Sequence, residues 1–111
     1  MNMNYSKIQN EIINFVEERD WNKFHSPKNL SMALSVEASE LLEIFQWQMN
    51  EESSEKTISK AKDEIADIFY YLVRICQKMN IDLEEAFFEK MKKNMTKYPA
   101  EKFRGKSNFG L

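Results

Sequence analysis

The segment from 55 to 79 carries the longest helical pattern of the chain, and it restricts the folds that the chain can adopt. Its apolar residues recur every three or four positions, which is the spacing of one helix face. These residues are Ile58, Ala61, Ile65, Ile68, Leu72, Ile75 and Met79. Between Ile65 and Cys76 the only charged residues are Asp67 and Arg74, so this helix is apolar nearly all round. Such a helix needs burial on every side, and we therefore expect it to pack against a second copy of the chain.

The rest of the chain also favours long helices, because its 111 residues include only two Gly and two Pro to form turns. A chain of this length is expected to form a single domain, here residues 1–111. The predicted helices cover about 6–24, 27–49, 55–79 and 83–98, and an extended tail covers 99–111. Four helices with short connections predict an all-α fold with an antiparallel, four-helix bundle-like subunit.

Local signals mark several of these helix ends. Ser6 begins a capping-box pattern, so we expect the first helix to start there. Ser26 followed by Pro27 predicts the start of the second helix, since Ser is a preferred N-cap and Pro suits the first helical position. Asn80 is a plausible stop for the third helix, and Asp82 is the expected cap of the fourth.

Composition and charge exclude several classes of protein. A single cysteine, Cys76, excludes an intrachain disulfide framework and favours a cytoplasmic setting. No basic stretch followed by an apolar segment opens the chain, so we expect no secretory leader. The longest apolar run is too short for a membrane span, so no membrane partner is expected. A net charge of −2 gives no reason to expect binding to duplex nucleic acid.

Two acid-x-x-acid pairs interrupt the apolar helices, and they are the main indication of function. Glu37 and Glu40 form the first pair, and Glu64 and Asp67 form the second. Residues three apart share a helix face, so two facing helices would bring four carboxylates together. A divalent cation would compensate their charge, and oxygen-only ligands favour Mg²⁺ or Mn²⁺ over Zn²⁺. The alternatives are a solvated acidic face or ion pairing, although the single Arg74 cannot neutralise four acids.

Other residues near the helix ends suit a nucleotide. Trp21, His25 and Trp47 could stack on a base, or they could simply pack in the core. In the last helix, polar residues four apart could line a pocket or form a boundary stripe: Lys90, Asn94 and Tyr98. From 90 to 106 there are seven basic residues and one acidic residue, which indicates either a solvated helix end or a tail that meets a polyanion such as a triphosphate.

Taken together, these motifs resemble those of the MazG-like, all-α nucleoside triphosphate pyrophosphohydrolases, most of all the deoxycytidine triphosphate pyrophosphatase branch. The matching segments extend over about residues 10 to 106. They are RDW at 19–21, FHSPKNL at 24–30, EASEL at 37–41, EIFQW at 43–47, EIAD at 64–67, KM at 90–91 with Asn94, KYP at 97–99 and RG at 104–105. Two positions depart from the common pattern, since Val36 stands where many relatives have Glu and Ser39 where many have Gly.

The resemblance implies Mg²⁺-dependent hydrolysis of a nucleoside triphosphate to the monophosphate and pyrophosphate, with Mn²⁺ as a possible substitute. It implies metal ligands at Glu37, Glu40, Glu64 and Asp67. It also implies a base pocket formed by Trp21, His25, Trp47 and Tyr71, and phosphate contacts from Lys90, Asn94, Lys97 and Tyr98. It further implies a homo-oligomer, expected to be a tetramer built as a dimer of dimers, with active sites at the subunit interfaces.

We therefore expect an enzyme that cleaves dCTP or modified pyrimidine deoxynucleotides in nucleotide-pool sanitation. Glu40, as the base, and Glu37 are the expected catalytic residues. Two alternatives stay open at this point. One is a pyrophosphohydrolase acting on phosphoribosyl-ATP, and the other is a non-catalytic helical oligomerisation module with a structural acidic cluster.

Overall fold

The computed structural model describes residues 2–49 and 54–106, and it confirms the predicted all-α class. The described residues contain no strand. The elements are α1 (Tyr5–Glu18), a 3-10 turn (Asn22–Phe24), α2 (Pro27–Phe45), α3 (Glu55–Met79), α4 (Leu83–Lys97) and α5 (Ala100–Phe103). No helix in the described ranges has the length and apolar character that crossing a membrane requires.

The chain divides into two compact units, residues 1–80 and residues 81–111. The first unit contains α1, the 3-10 turn, α2 and α3, and the second contains α4 and α5. The predicted four-helix bundle and the predicted single domain concern both units together, so they stay predictions.

In the first unit, α3 is the element on which α1 and α2 pack. Ile12 and Val16 of α1 bury their side chains against Val73 of α3, and four partly buried side chains surround this contact: Tyr5, Ile8, Phe69 and Tyr70. Leu30 of α2 is also fully buried. Burying apolar side chains of this size stabilises a fold by about 1.5–3 kcal/mol each, so this small core holds the helices in place.

The first helix was predicted wrongly at both ends. It begins at Tyr5 because Asn4, not Ser6, is the N-cap, and the Asn4 side chain accepts a 3.0 Å hydrogen bond from the Lys7 amide. It ends at Glu18 because Asp20 adopts a left-handed conformation with φ of 55°.

A Schellman motif terminates α1 and separates it from the 3-10 turn. The Trp21 amide donates to the Val16 carbonyl at 3.1 Å, and the Asp20 amide donates to the Glu17 carbonyl at 3.1 Å. These two bonds satisfy carbonyls that the helix end would leave unpaired. Because Asp tolerates the left-handed region better than most residues, the chain turns here and carries Trp21 out of the helix.

The predicted starts of the remaining long helices are confirmed. Ser26 accepts a 3.0 Å hydrogen bond from the Asn29 amide and precedes Pro27 at the first position of α2. The α3 range agrees with the prediction, and Asn80 ends the helix at φ 55° with its amide donating to Cys76. Asp82 caps α4 through a 3.0 Å bond from the Glu85 amide.

The end of α2, the end of α4 and the tail differ from the predictions. The fourth helix ends at Lys97 rather than at 98. The second helix stops at Phe45 rather than at 49, because the Gln48 amide donates to the Phe45 carbonyl at 2.9 Å and closes a turn. The tail predicted to be extended contains the short helix α5, which begins directly after Pro99. Residues 50–53 and 107–111, which belong to the predicted acidic connection and the predicted tail, lie outside the described residues.

Candidate metal centre and flanking cavities

Three of the four predicted metal ligands converge in the structure. Glu37 and Glu40 lie one turn apart on α2 and face Glu64 on α3, and one oxygen from each side chain lies within 4.8 Å of the others. The i, i+3 spacing on α2 and the packing of α2 along α3 produce this arrangement. We call Glu37, Glu40 and Glu64 the acidic cluster.

The close approach of these carboxyl groups raises the pKa of Glu37 to about 7. The main cause is a hydrogen bond that protonated Glu37 makes to Glu64, followed by burial and then by the hydrogen bond and negative charge of Glu40. A smaller contribution comes from the negative charge of Asp67. The cluster therefore holds a proton near neutral pH when nothing else compensates its charge.

The acidic cluster has the chemistry of a hard-cation site. One oxygen each of Glu37 and Glu64 is buried without a hydrogen-bond partner among the described residues. A buried polar atom without a partner is costly, and a cation would satisfy both oxygens at once. The donors are all carboxylate oxygens, which match the preference of Mg²⁺ and Mn²⁺.

The fourth predicted ligand, Asp67, lies one turn from Glu64 on α3 and is exposed. It is not among the three carboxylates that converge within 4.8 Å. It does line the same cavity as Glu37, and its charge contributes to the raised pKa of that residue. Asp67 therefore stands at the edge of the acidic cluster, next to the cavity that it lines together with Glu37.

An aromatic cavity of about 430 Å³ opens beside Glu37 and Asp67. Its walls come from three helices, α1, α2 and α3, and from Trp21, which follows α1. The lining residues are Glu11, Ile12, Phe15, Trp21, Glu37, Ala66, Asp67, Tyr70 and Tyr71. Phe15 meets Trp21 edge-on with ring centroids 5.5 Å apart, and Tyr70 meets Tyr71 in the same way at 4.9 Å. Edge-to-face packing fixes these rings, so the cavity offers a preformed aromatic surface.

A second, polar cavity of about 650 Å³ opens on α2 and α3 beside Glu40 and Glu64. It is lined by Glu40, Glu43, Ile44, Gln46, Lys56, Thr57, Lys60 and Glu64. The two helices run antiparallel, so the polar cavity follows the aromatic cavity along α2, from Glu37 to Glu40, but precedes it along α3, from Asp67 back to Glu64. The acidic cluster therefore lies between an aromatic cavity at one end and a polar cavity at the other.

Arg74 does not face the acids. It is only 6% exposed and donates from Nε to His25 Nδ1 at 3.0 Å, from one terminal nitrogen to Asn22 Oδ1 at 2.8 Å, and from the other to Gln77 Oε1 at 2.9 Å. Lys78 donates to the same Asn22 oxygen at 2.9 Å. Arg74 thus ties α3 to the 3-10 turn between α1 and α2.

The bond from Arg74 also selects one tautomer of His25. Because Nδ1 accepts a hydrogen bond, the proton of the neutral ring is on Nε2. Burial, the charge of Arg74 and the charge of Lys78, in that order, lower the pKa of His25 below its ordinary value of 6.5. His25 is therefore a neutral imidazole at pH 7 with a donor at Nε2.

Two predicted base-pocket residues, His25 and Trp47, are absent from the walls of the aromatic cavity. Trp47 is 82% exposed in the turn that follows α2. Lys90, Asn94, Lys97 and Tyr98 belong to the second unit. There the Tyr98 ring packs edge-on against Phe103 at 5.2 Å. The roles of these residues in substrate binding stay predictions.

Several residues of the two cavities were missed by the sequence analysis. Phe15 and Tyr70 line the aromatic cavity but were not among the predicted binding residues. Lys56 and Lys60 precede Glu64 by eight and four residues, so they share its helix face. That spacing was a usable signal. The position of Glu11 depends on how α1 packs on α3, and no local pattern reveals it.

Comparison with known proteins gives consistent matches. The MazG-like family model matches residues 32–109. The chain is 40% identical over 96 residues to dCTP pyrophosphatase 1 of Bos taurus, a match that covers 82% of this chain and 57% of that protein. It is 38% identical over 98 residues to dCTP pyrophosphatase 1 of Homo sapiens, covering 84% and 58%. The chain thus spans somewhat more than half the length of these curated relatives.

A solved structure shows the same fold. The crystal structure of a pyrophosphatase from Archaeoglobus fulgidus superposes with a TM-score of 0.80 at 35% sequence identity. The match covers 89% of this chain and 95% of that chain, so the likeness extends over nearly the whole of both.

Proposed function

Because the chain belongs to the MazG-like family, we propose that it hydrolyses a nucleoside triphosphate to the monophosphate and pyrophosphate with the help of Mg²⁺. One observation carries the proposal. The acidic cluster, with buried carboxylate oxygens that lack partners, lies between a cavity suited to a base and a cavity suited to phosphates.

The acidic cluster together with Asp67 would hold Mg²⁺, or Mn²⁺ in its place. The bound ion would neutralise negative charge on the phosphates and would lower the pKa of a nearby water. Glu40 would take the proton of the attacking water, and Glu37 would help to orient that water. The water oxygen bonds to the α-phosphorus, the bond from the α-phosphorus to the oxygen that bridges it to the β-phosphorus breaks, and pyrophosphate leaves.

We propose dCTP or a modified pyrimidine deoxynucleotide as the substrate, and nucleotide-pool sanitation as the role. The relatives named as dCTP pyrophosphatases support the choice of base. Trp21 and Tyr71, which were predicted as base-pocket residues, both line the aromatic cavity. Stacking on aromatic side chains contributes about 1–3 kcal/mol per base, which is enough to hold the base while the phosphates meet the acidic cluster.

A product analysis tests this function. The purified protein is incubated with a panel of canonical and modified nucleoside triphosphates and with phosphoribosyl-ATP, with and without Mg²⁺. We expect monophosphate and pyrophosphate from dCTP or a modified pyrimidine deoxynucleotide, and only with the metal. Diphosphate and phosphate would mean that a different bond is cleaved. Turnover of phosphoribosyl-ATP alone would favour the histidine-synthesis alternative.

A helical oligomerisation module without catalytic activity is the remaining alternative. It predicts no turnover of any nucleotide and no effect of Mg²⁺ on the thermal unfolding of the protein. The buried oxygens of Glu37 and Glu64 that have no hydrogen-bond partner among the described residues argue against it, because a bound cation would satisfy both at once.

We also propose that the chain forms a homo-oligomer, expected to be a tetramer, and that it is cytoplasmic. The support for assembly is an exposed apolar stripe along α3 with a spacing of seven residues: Ile58, Ile65, Leu72 and Met79. Each of these side chains is more than one-third exposed, and such a stripe is typical of a surface covered by another helix. Sedimentation velocity that finds only a 13.3 kDa monomer would contradict the assembly.

The raised pKa of Glu37 predicts that Mg²⁺ binding depends on pH. In the metal-free protein Glu37 titrates near pH 7, whereas an unperturbed carboxyl titrates near 4.5. Because the pKa of Glu37 is higher in the folded state than in the unfolded state, protonation of Glu37 stabilises the fold. This stabilisation is fully present below pH 4.5 and is lost as the pH rises through 7. A cation needs the ionised carboxylate, so binding displaces a proton below pH 7, and the Mg²⁺ affinity should fall about tenfold from pH 8 to pH 6.

Calorimetric titration of the EDTA-treated protein with Mg²⁺ at both pH values measures this change. Buffers with different ionisation enthalpies report the released proton directly. Glu37→Gln is the control, since it removes the titrating group and should flatten the pH dependence while weakening the affinity. A wild-type affinity that is equal at pH 6 and pH 8 would show that Glu37 does not meet the ion.

A further inference from the structure

Two lysines occupy the polar cavity without a counter-ion. Lys56 and Lys60 lie one turn apart on α3 and line this cavity together with Glu40, Glu43 and Glu64. Within the described parts of the chain, the ion pairs are Arg19 with Glu18 and Lys23 with Asp20, so neither cavity lysine has a carboxylate oxygen within 4.0 Å. Three acids and two bases thus share one cavity without pairing.

The order of groups along α3 follows the order of groups in a nucleoside triphosphate. Asp67 borders the aromatic cavity, Glu64 belongs to the acidic cluster, and Lys60 follows in the polar cavity. A helix rises about 1.5 Å per residue, so Asp67 and Lys60 are roughly 10 Å apart along its axis. With the base in the aromatic cavity and the α-phosphate at the acidic cluster, the β- and γ-phosphates extend to the lysines.

Charge explains why this end of the site needs lysines. The leaving pyrophosphate carries several negative charges and departs beside carboxylates that repel it. A lysine ammonium is a compact positive charge suited to phosphate, and its four-carbon stem can follow the departing group. The Gln46 amide at the rim of the same cavity offers a further donor.

We infer that the polar cavity is the pyrophosphate site, in which Lys56 and Lys60 bind the β- and γ-phosphates of the substrate and then the released pyrophosphate. The inference rests on the proposed function and deepens it by assigning the leaving-group end of the site. Phosphate binding by Lys56 and Lys60 of the first unit would add to the phosphate contacts that the sequence predicted for Lys90 and Lys97 of α4.

The test is the binding of inorganic pyrophosphate, measured by calorimetric titration with Mg²⁺ present. Lys56→Gln and Lys60→Gln should each weaken this binding about fivefold, and the double variant should weaken it more than about tenfold. Binding of dCMP should stay within about twofold of wild type in all three, because the monophosphate occupies the other end of the site. Circular dichroism checks that each variant retains its helices.

Lys62→Gln is the matched control. Lys62 is exposed on the same helix and lines neither cavity, so the variant loses the same charge without touching the site. Pyrophosphate binding that is unchanged in the double variant, or weakened equally by Lys62→Gln, would overturn the inference, as would a wild-type protein that binds no pyrophosphate. Failure of the proposed function is seen separately, as the absence of wild-type hydrolysis in the product analysis.

Discussion

Glu64→Gln is expected to lower kcat/KM for dCTP by more than about 100-fold while leaving the helices intact. Glu64 is the α3 member of the acidic cluster, and one of its oxygens is buried without a hydrogen-bond partner in the part of the chain that the structure describes. Mutation of residues that merely support a metal ligand lowers metal affinity or activity about 10–100-fold, so loss of a ligand itself should lower activity further. The amide keeps the shape of the side chain but removes the charge that would hold the cation.

The same variant should be at least as resistant to heat as wild type when EDTA is present. Glu64 is the main cause of the raised pKa of Glu37, because protonated Glu37 makes a hydrogen bond to it. An amide at position 64 can instead donate a hydrogen bond to ionised Glu37, so the metal-free cluster no longer needs that proton. Thermal unfolding with EDTA and with Mg²⁺ separates this effect from misfolding, because only the wild type should gain stability from the metal.

Asp63→Asn is the matched control for this prediction. Asp63 is the preceding residue, carries the same charge and is exposed, but it lines neither cavity. Its activity should stay within about twofold of wild type, because surface substitutions away from a site have small effects. If Glu64→Gln retained wild-type turnover, the acidic cluster could not be the catalytic centre.

The helices with strong local signals were predictable from the sequence. The bounds of α3 and the caps Ser26 and Asp82 follow from periodicity and N-cap chemistry, which act within one or two turns. The end of α1 was not predicted because Asp20 can occupy either a helical or a left-handed conformation. The Schellman bonds decide between the two, and they form only once the chain has turned.

The site shows the same division between local and tertiary information. Two i, i+3 pairs on facing helices predicted that four carboxylates converge. Glu37, Glu40 and Glu64 do so, whereas Asp67 is not among the three that lie within 4.8 Å of one another. From the sequence, Arg74 is interpreted only as an insufficient counter-ion for those acids, since it is the only cation in the apolar part of the third helix. Its true partners come from the 3-10 turn, roughly 50 residues away in sequence, so only the packing of α1 on α3 reveals them.

Arg74→Met is expected to lower the free energy of unfolding by about 2–3 kcal/mol. Met replaces the apolar stem of Arg74 but leaves His25 Nδ1 and Gln77 Oε1 without their donors. Hydrogen bonds to a charged group are worth about 1.5–3 kcal/mol each, and the partial exposure of the partners reduces the sum. Asn22 keeps its bond from Lys78, which also limits the loss. Denaturant unfolding measures the change.

The imidazole of His25 gives a second, independent measure, because it is the only histidine in the chain. In wild type its nitrogen-15 spectrum should show a neutral ring with the proton on Nε2 and a pKa below 6.5. In Arg74→Met the two tautomers should both be populated and the pKa should rise, since the charge of Arg74 is one cause of the lowered value. Because its pKa is lowered in the folded state, His25 contributes stability above pH 6.5 that wild type loses as the pH falls. In Arg74→Met this contribution should be smaller.

Lys78→Met is the control that separates a buried network from a surface contact. Lys78 also donates to Asn22, but its bond is exposed, so its loss should cost less than about 1 kcal/mol and leave the His25 tautomer unchanged. The turn that Arg74 holds begins directly after Trp21, which lines the aromatic cavity. Arg74→Met should therefore raise KM for dCTP more than it lowers kcat. Wild-type stability together with an unchanged His25 tautomer would show that packing alone, without the guanidinium, orders this turn.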